Sequence, residues 1–183
     1  MIILRKEISI LMIKSIAIFG ATEKHVSELA EIMALNNNRL LLFSDGNQDI
    51  SDLRNHILLN IPSADIELFD CSAEASWQAD TIILALTPDK QENIAAGIED
   101  FVTQKTVIAF VDSVQEASGV IPSKGLQNRL PNAHVIYVHI AYDQDQQKVF
   151  YAAGSDEEAL NEATALLTLA GFIPGESQPL ITL

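Results

Sequence analysis

The stretch Lys14–Ala30, KSIAIFGATEKHVSELA, decides the fold that this sequence predicts. Ile16 to Phe19 form a short apolar run, which is typical of a buried strand, and Gly20 follows directly. From about Thr22 the apolar residues recur at helical spacing. A buried strand, a tight turn and an amphipathic helix in this order are typical of the first unit of a dinucleotide-binding domain.

The glycine pattern of that unit is incomplete. Its fingerprint is Gly-x-Gly-x-x-Gly, and with Gly20 as the first glycine, Thr22 and His25 stand at the second and third positions. The second glycine lets the backbone approach a pyrophosphate, and the third lets helix and strand pack closely. Thr22 can still cap the helix and, with free N–H groups, hold an anion. We therefore expect a cofactor to bind more weakly or in a shifted position.

Two side chains of the same turn have alternative interpretations. Lys24 is either a compensating positive charge for a phosphate or a solvated lysine in the first helical turn. His25 is more typical of a surface or packing histidine than of a catalytic one. Neither residue alone therefore assigns a reaction.

Composition excludes several classes of function. The chain has 183 residues, of which 48% are hydrophobic and 20% charged, which suits one globular domain with a substantial core. Its formal net charge of −14 repels nucleic acid phosphates and anionic membrane surfaces, so neither is expected as a partner. Cys71 is the only cysteine, and the sequence has no Cys/His cluster with metal-ligand spacing. A cytoplasmic protein without a metal site is therefore expected.

Strand and helix signals alternate along the chain. Predicted strands cover residues 16–19, 40–43, 66–69, 81–86, 106–111, 135–140 and 148–152. Predicted helices cover residues 22–35, 52–59, 89–102 and 155–169, the last with Ser155 as its cap and Glu158 completing a capping box. This alternation predicts an α/β, doubly wound, Rossmann-like domain whose mainly parallel sheet has helices on both faces.

The amino-terminal segment has two interpretations. Residues 1–11 are interpreted as an appendage to a single domain of residues 12–183, with Met12 as the natural start. The alternative is an additional edge strand. Arg5, Lys6 and Glu7 interrupt the apolar run of this segment, which argues against a signal peptide or membrane span.

Three stretches together resemble a known family. They are IAIFGA at residues 16–21, QADTIILALTP at 78–88, and GSDEEA followed by LAGFIP within 154–174. The succession resembles the small NAD(P)-binding oxidoreductases typified by the deazaflavin (coenzyme F-420)-dependent NADP reductases. The second stretch is shared with dehydrogenases of wider groups, including those acting on 6-phosphogluconate and pyrroline-5-carboxylate. The late helix followed by Gly-Phe-x-Pro favours the reductase-like branch.

The resemblance implies a bound NADP or NAD and direct hydride transfer to or from a small soluble substrate, with the protein mainly positioning the two rings. It also implies the site residues. Gly20 and Ala21 would form the turn at the pyrophosphate, with Thr22, Lys24 and His25 beside it. Ser44 and Asp45 would face the adenosine ribose, and the nicotinamide side would be lined by Ala85, Leu86, Thr87 and Pro88.

Departures from the family leave three questions open. Asp45 stands where NADP-specific relatives carry an arginine, so NAD is at least as plausible as NADP, although Asp45-Gly46 also reads as a plain turn. Relatives commonly continue beyond Gly-Phe-x-Pro, whereas this chain stops at Leu183, so a cover over the site is expected from residues 112–133 or from a second subunit, as in a homodimer. A non-catalytic binding or oligomerising module, or a small-molecule sensor, is the alternative function.

Three aromatic or imidazole side chains outside these stretches are expected to pack. Tyr137 and His139 alternate along the sixth predicted strand, which places them on one face, where they line a pocket or pack. Packing is the favoured interpretation. Trp77, the only tryptophan, is likewise expected to pack.

Overall fold

The computed structural model describes residues 14–44, 48–111, 124–143 and 145–175, with the backbone alone for Lys24, Gln48 and Lys124. Residues 1–11, interpreted above as an appendage, lie outside the described part, as do Asp45 and residues 112–123. The strands are β1 (Ser15–Phe19), β2 (Arg39–Phe43), β3 (Ile66–Phe69), β4 (Thr81–Leu84), β5 (Thr106–Val111), β6 (His134–Tyr142), β7 (Lys148–Ala153) and β8 (Ile173–Pro174).

The helices alternate with these strands. They are α1 (Lys24–Leu35), α2 (Gln48–Asn60), α3 (Ser72–Gln78), α4 (Pro88–Ile98), α5 (Lys124–Arg129) and α6 (Glu157–Leu169), and a short 3₁₀ helix (Glu99–Phe101) follows α4. Among the described residues, no helix is long and apolar enough to cross a membrane.

One sheet joins all eight described strands, in the order β3-β2-β1-β4-β5-β6-β7-β8. The strands from β3 to β6 pair in parallel, β7 is antiparallel to β6, and β8 runs parallel to β7. The order reverses between β1 and β4, which makes the carboxyl ends of these two strands the topological switch point. The predicted doubly wound α/β fold with a mainly parallel sheet is confirmed.

The apolar runs form a parallel sheet because both of their faces are covered. In β1, Ile16 and Ile18 belong to a core cluster shared with α1, α2 and α6, while Ala17 and Phe19 belong to a second cluster shared with α3 and α4. All four side chains are completely buried. Continuous burial on both faces is the pattern expected of a central parallel strand.

A carboxylate on α6 ties three strands together at the amino edge of the sheet. Glu162 accepts hydrogen bonds from the hydroxyl groups of Thr81 and Thr106, the latter at 2.9 Å, and its Oε1 lies 2.7 Å from Nζ of Lys14. These three residues stand at the starts of β4, β5 and β1, respectively. Both threonines are buried, so the carboxylate satisfies hydroxyl groups that water hardly reaches.

Trp77 does not pack, and the prediction for it is wrong. Its side chain is 67% exposed, although it belongs to the short helix α3. Ala75 and Ser76 form the buried side of that helix, and Ala79 just beyond it is buried too. The three buried positions are all small residues, so α3 packs against the sheet without the indole.

The cap of α6 also differs from the prediction. Asp156 is the N-cap, and its Oδ1 accepts a hydrogen bond from the backbone N–H of Ala159 at 2.8 Å. Ser155 precedes the cap, so the predicted capping box with Glu158 is wrong. Both residues are able to cap; the helix starts at Glu157, which puts Asp156 rather than Ser155 at the capping position.

Replacing Asp156 should test that assignment. Asp156→Ala should lower the free energy of unfolding by about 0.5–2 kcal/mol, because the helix loses its cap. Asp156→Asn should retain most of the stability, since asparagine caps as well as aspartate. Urea unfolding followed by circular dichroism measures both. Ser155→Ala is the control, with a change within about 0.5 kcal/mol; a larger loss in Ser155→Ala than in Asp156→Ala would contradict the assignment.

Candidate functional site

The turn after β1 lies in backbone contact with the segment after β4. The N–H of Ala85 donates to the carbonyl of Phe19 at 2.8 Å. Gly20 has φ +85°, and a Cβ atom placed on it would lie 2.1 Å from the carbonyl oxygen of Ala85. Only glycine fits such a position, because both the backbone angle and the space exclude a side chain. Gly20 and Ala85, two predicted site residues, are therefore brought together at the switch point.

The amino end of α1 follows this turn. Ala21 is buried and Thr22 exposed, and the N–H of Glu23 donates to the carbonyl of Gly20 at 3.1 Å. This bond closes the turn, so the helix begins at Lys24 with Glu23 at the N-cap position. The predicted cap, Thr22, stands one residue too early and is wrong.

The amino end of α1 has no side-chain cap. The Glu23 side chain makes no capping hydrogen bond. The N–H of Val26 donates to the carbonyl of Glu23 at 2.9 Å, and the helix dipole makes this end of α1 attractive to negative charge. An exposed carboxylate at the same place is unfavourable for a phosphate, and this acid was missed in the sequence analysis.

His25 belongs to an aromatic cluster on the α1 side of the sheet. Its ring centroid lies 5.8 Å from that of Tyr142 in β6 and 6.5 Å from that of Phe172. One turn further along α1, Glu28 forms an ion pair with Lys148, whose Nζ lies 5.4 Å from the Phe172 ring centroid. The side chain at the third glycine position therefore packs against β6 and the segment after α6, as a packing histidine.

Ser44 stands at the same edge of the sheet, directly after β2. Its N–H donates to the carbonyl of Phe69 at 2.7 Å, and the residue is half-buried. Because β1 and β2 are paired in parallel, Gly20 and Ser44 both follow the carboxyl ends of neighbouring strands. Asp45 and the side chain of Lys24 lie outside the described part of the chain.

The segment after β4 forms the other side of the site. The predicted strand 81–86 ends at Leu84, after which Ala85 is buried, Leu86 half-buried, and both Thr87 and Pro88 exposed. Thr87 is the N-cap of α4, and Pro88 is its first residue. Proline suits this position because its ring fixes φ and because an N–H there would have no partner within the helix.

Gln91 holds this segment in place and was missed in the sequence analysis. Its Nε2 lies 3.2, 2.9 and 2.7 Å from the carbonyl oxygens of Leu84, Leu86 and Phe110, which share its two N–H donors, and the residue is 6% exposed. Gln91, Ala95 and Ile98 share the buried side of α4. That spacing was the available signal: a polar residue on the apolar face of a helix must find hydrogen-bond partners inside.

A cavity of about 270 Å³ lies beside Pro88 on the α4 side of the sheet. Phe110, Val111, Leu126 and Tyr137 contribute to its walls. Burial raises the pKa of the Tyr137 phenol, and the hydrogen bond from the Gln127 backbone N–H acts in the opposite direction. Tyr137 packs against the second core cluster and His139 is 6% exposed, in agreement with the favoured interpretation of both as packing residues.

Among the described residues, no cluster of three or more histidine, cysteine or acidic side chains is arranged to hold a metal ion. The arrangement offers instead what a dinucleotide needs: a glycine turn, a helix amino end and the ends of neighbouring strands at one switch point.

No protein-family model matches the chain, and no curated protein sequence matches it. Similar solved structures include pyrroline-5-carboxylate reductase from Coxiella burnetii, with 12% identity and a TM-score of 0.66 over 90% of this chain and 59% of that one. The Plasmodium falciparum pyrroline carboxylate reductase with NADP bound has 13% identity and a TM-score of 0.62, over 91% of this chain and 58% of that one.

A putative F420-dependent NADP-reductase from Arthrobacter sp. FB24 has 13% identity and a TM-score of 0.59, over 88% of this chain and 84% of that one. The chain spans about three fifths of the length of the two pyrroline carboxylate reductases. At these identities the likeness shows the fold. The chain has the Rossmann-like fold that these three reductase structures share.

Proposed function

We propose that this chain binds NADP or NAD and acts as an oxidoreductase similar to the F420-dependent NADP reductases, moving a hydride between the nicotinamide and a small soluble molecule. The observation that carries the proposal is the close contact of Gly20 with Ala85 beside the uncapped amino end of α1. It brings a glycine turn and the positive end of a helix dipole to the place where a pyrophosphate would rest.

Several described site residues have a role in this proposal. Gly20 and Ala21 would form the turn under the pyrophosphate, at the amino end of α1. Ser44 would face the ribose, and the segment from Ala85 to Pro88 would line the nicotinamide side. The cofactor supplies the hydride chemistry when bound, and these residues bind and orient it.

The small substrate would enter beside Pro88, where the cavity on the α4 side opens. We propose a second subunit as one source of a cover for this entrance. A homodimer would exclude water from the reacting rings, as hydride transfer benefits from a closed site.

A specific observation favours the alternative, a non-catalytic binding or oligomerising module. The exposed acid Glu23 stands at the N-cap of α1, and Thr22 occupies the second glycine position. Both residues oppose tight binding of a pyrophosphate. Glu23 repels its negative charge, and the Thr22 side chain occupies space that a glycine would leave open.

Calorimetric titration with NADPH and NADH should separate the two functions. We expect saturable heat from at least one of the two cofactors at concentrations up to the millimolar range. The absence of both heat and a thermal shift at millimolar cofactor would remove the oxidoreductase proposal and leave the module.

Removing the charge of Glu23 should tighten cofactor binding. Glu23→Gln should lower the Kd for the preferred cofactor about two- to fivefold, since the repulsion of two charges a few ångströms apart in water is about 1 kcal/mol. Glu99→Gln is the matched control, because it changes the net charge equally but lies in the exposed 3₁₀ helix that leads into β5 at the amino edge. Equal effects of the two variants would show that net charge, rather than a phosphate at α1, determines the affinity.

A further inference from the structure

We propose that Gln91 is a positioning residue for the nicotinamide half of the cofactor, acting through the backbone of the segment after β4; this inference rests on the proposed function. In this role the side chain acts through its hydrogen bonds to the backbone, and it also contributes to the wall of the cavity beside Pro88. It fixes the chain that would line the nicotinamide.

The inference starts from a backbone carbonyl just beyond the end of β4. Beyond Leu84 the chain leaves β4, so the carbonyl of Leu86 is no longer part of a strand ladder. The Gln91 amide donates to this carbonyl at 2.9 Å, to that of Leu84 at 3.2 Å and to that of Phe110 at 2.7 Å. One buried side chain thus ties the end of β4, the segment after it and the adjoining strand β5 to α4.

The same segment is also anchored from the other side. The carbonyl of Ala85 lies against Gly20, close enough that no Cβ atom fits between them. The backbone of Ala85 and Leu86 is therefore held between the proposed pyrophosphate turn and the Gln91 amide. This sets the separation between the phosphate end and the nicotinamide end of the site, and small errors in such positions reduce productive binding strongly.

The chain provides a matched control in Gln127. Its Nε2 donates to the carbonyls of Leu130 and Ala133, both at 3.0 Å, and its Oε1 accepts from the N–H of Val135 at 3.2 Å. This amide holds the connection from α5 to β6 at the amino edge of the sheet. The backbone N–H of Gln127, which the substitution retains, bonds the Tyr137 hydroxyl at the wall of the cavity. Replacing either glutamine by methionine removes an amide with three backbone partners, buried in Gln91 and half-buried in Gln127, and retains most of the volume.

The test compares a full cofactor with a form that lacks nicotinamide. The Kd values of NADPH and of 2′-phospho-ADP-ribose, and in parallel of NADH and ADP-ribose, are measured for wild type, Gln91→Met and Gln127→Met. We expect Gln91→Met to weaken the full cofactor about five- to twentyfold, because binding must then order the segment after β4. In Gln91→Met, the Kd of the nicotinamide-free ligand should change less than about twofold. In Gln127→Met, the Kd of either ligand should also change less than about twofold.

Different outcomes overturn different statements. The inference alone would be overturned if Gln91→Met lost affinity equally for both ligands. It would also be overturned if Gln127→Met lost as much affinity for the full cofactor as Gln91→Met. A wild-type protein that binds no cofactor would overturn the proposed function together with the inference. If Gln91→Met does not fold, Gln91→Asn retains an amide on a shorter stem, and it should show a smaller loss confined to the full cofactor; no such selectivity would equally overturn the inference.

Discussion

Gly20→Ala should destabilise the protein far more than Gly171→Ala, although the two glycines have nearly the same backbone conformation. Their φ angles are +85° and +82°, respectively. A Cβ atom on Gly20 would meet the carbonyl oxygen of Ala85 at 2.1 Å, whereas one on Gly171 would meet nothing within 4 Å. The first variant must therefore move the backbone after β4, while the second bears only the strain of the left-handed conformation.

The expected sizes follow from these two contributions. The left-handed conformation costs an alanine about 1–2 kcal/mol, which is the whole effect expected for Gly171→Ala. Displacing a packed neighbour adds about 1–3 kcal/mol, so Gly20→Ala should lose about 2–5 kcal/mol in total. Urea unfolding followed by far-ultraviolet circular dichroism gives both free energies. Losses of the same size would mean that the Gly20–Ala85 contact relaxes freely, and that the turn is not fixed as described.

Glu162→Ala should be the second large effect, with a loss of about 2–4 kcal/mol in the free energy of unfolding. The substitution removes the acceptor for two threonine hydroxyl groups and the partner of Lys14 in one step. Thr81 and Thr106 are 0% and 6% exposed, so water cannot easily replace the carboxylate. The start of three strands would lose its connection to α6.

The control is another glutamate of the same helix. Glu158 is exposed in the first turn of α6, where its charge is favoured only by the helix dipole, so Glu158→Ala should cost less than about 1 kcal/mol. Thermal and urea unfolding of both variants measure the difference. If Glu162→Ala unfolds with a free energy within about 0.5 kcal/mol of Glu158→Ala, the carboxylate contributes no more than a surface acid.

The fold was largely predictable because burial on both faces leaves a plain signal in the sequence. Strands β3 and β5 have the predicted bounds, 66–69 and 106–111, since their apolar runs start and stop sharply. Helix starts were less predictable. Neighbouring residues such as Ser155 and Asp156 are equally able to cap, and the geometry of the preceding turn decides between them.

The candidate site was predictable where its chemistry lies in the backbone and less so where side chains act through tertiary contacts. Gly20 and the segment from Ala85 to Pro88 were found from their position after apolar strands. Gln91 was missed, because its three acceptors lie on both sides of α4 in the sequence, in β4, in the segment after it and in β5. The sequence also does not show that the His25 ring packs against Tyr142 and Phe172.

The exposed indole of Trp77 has a practical consequence for spectroscopy of this protein. It is the only tryptophan in the chain, and two thirds of its surface already faces water in the folded state. The backbone carbonyl of Trp77 accepts a hydrogen bond from the side chain of Lys105, which directly precedes β5. Trp77 therefore lies at the amino edge of the sheet, opposite the proposed site. We therefore expect the wavelength of tryptophan emission to change little when the chain unfolds. The emission should report on the α3 surface rather than on the core.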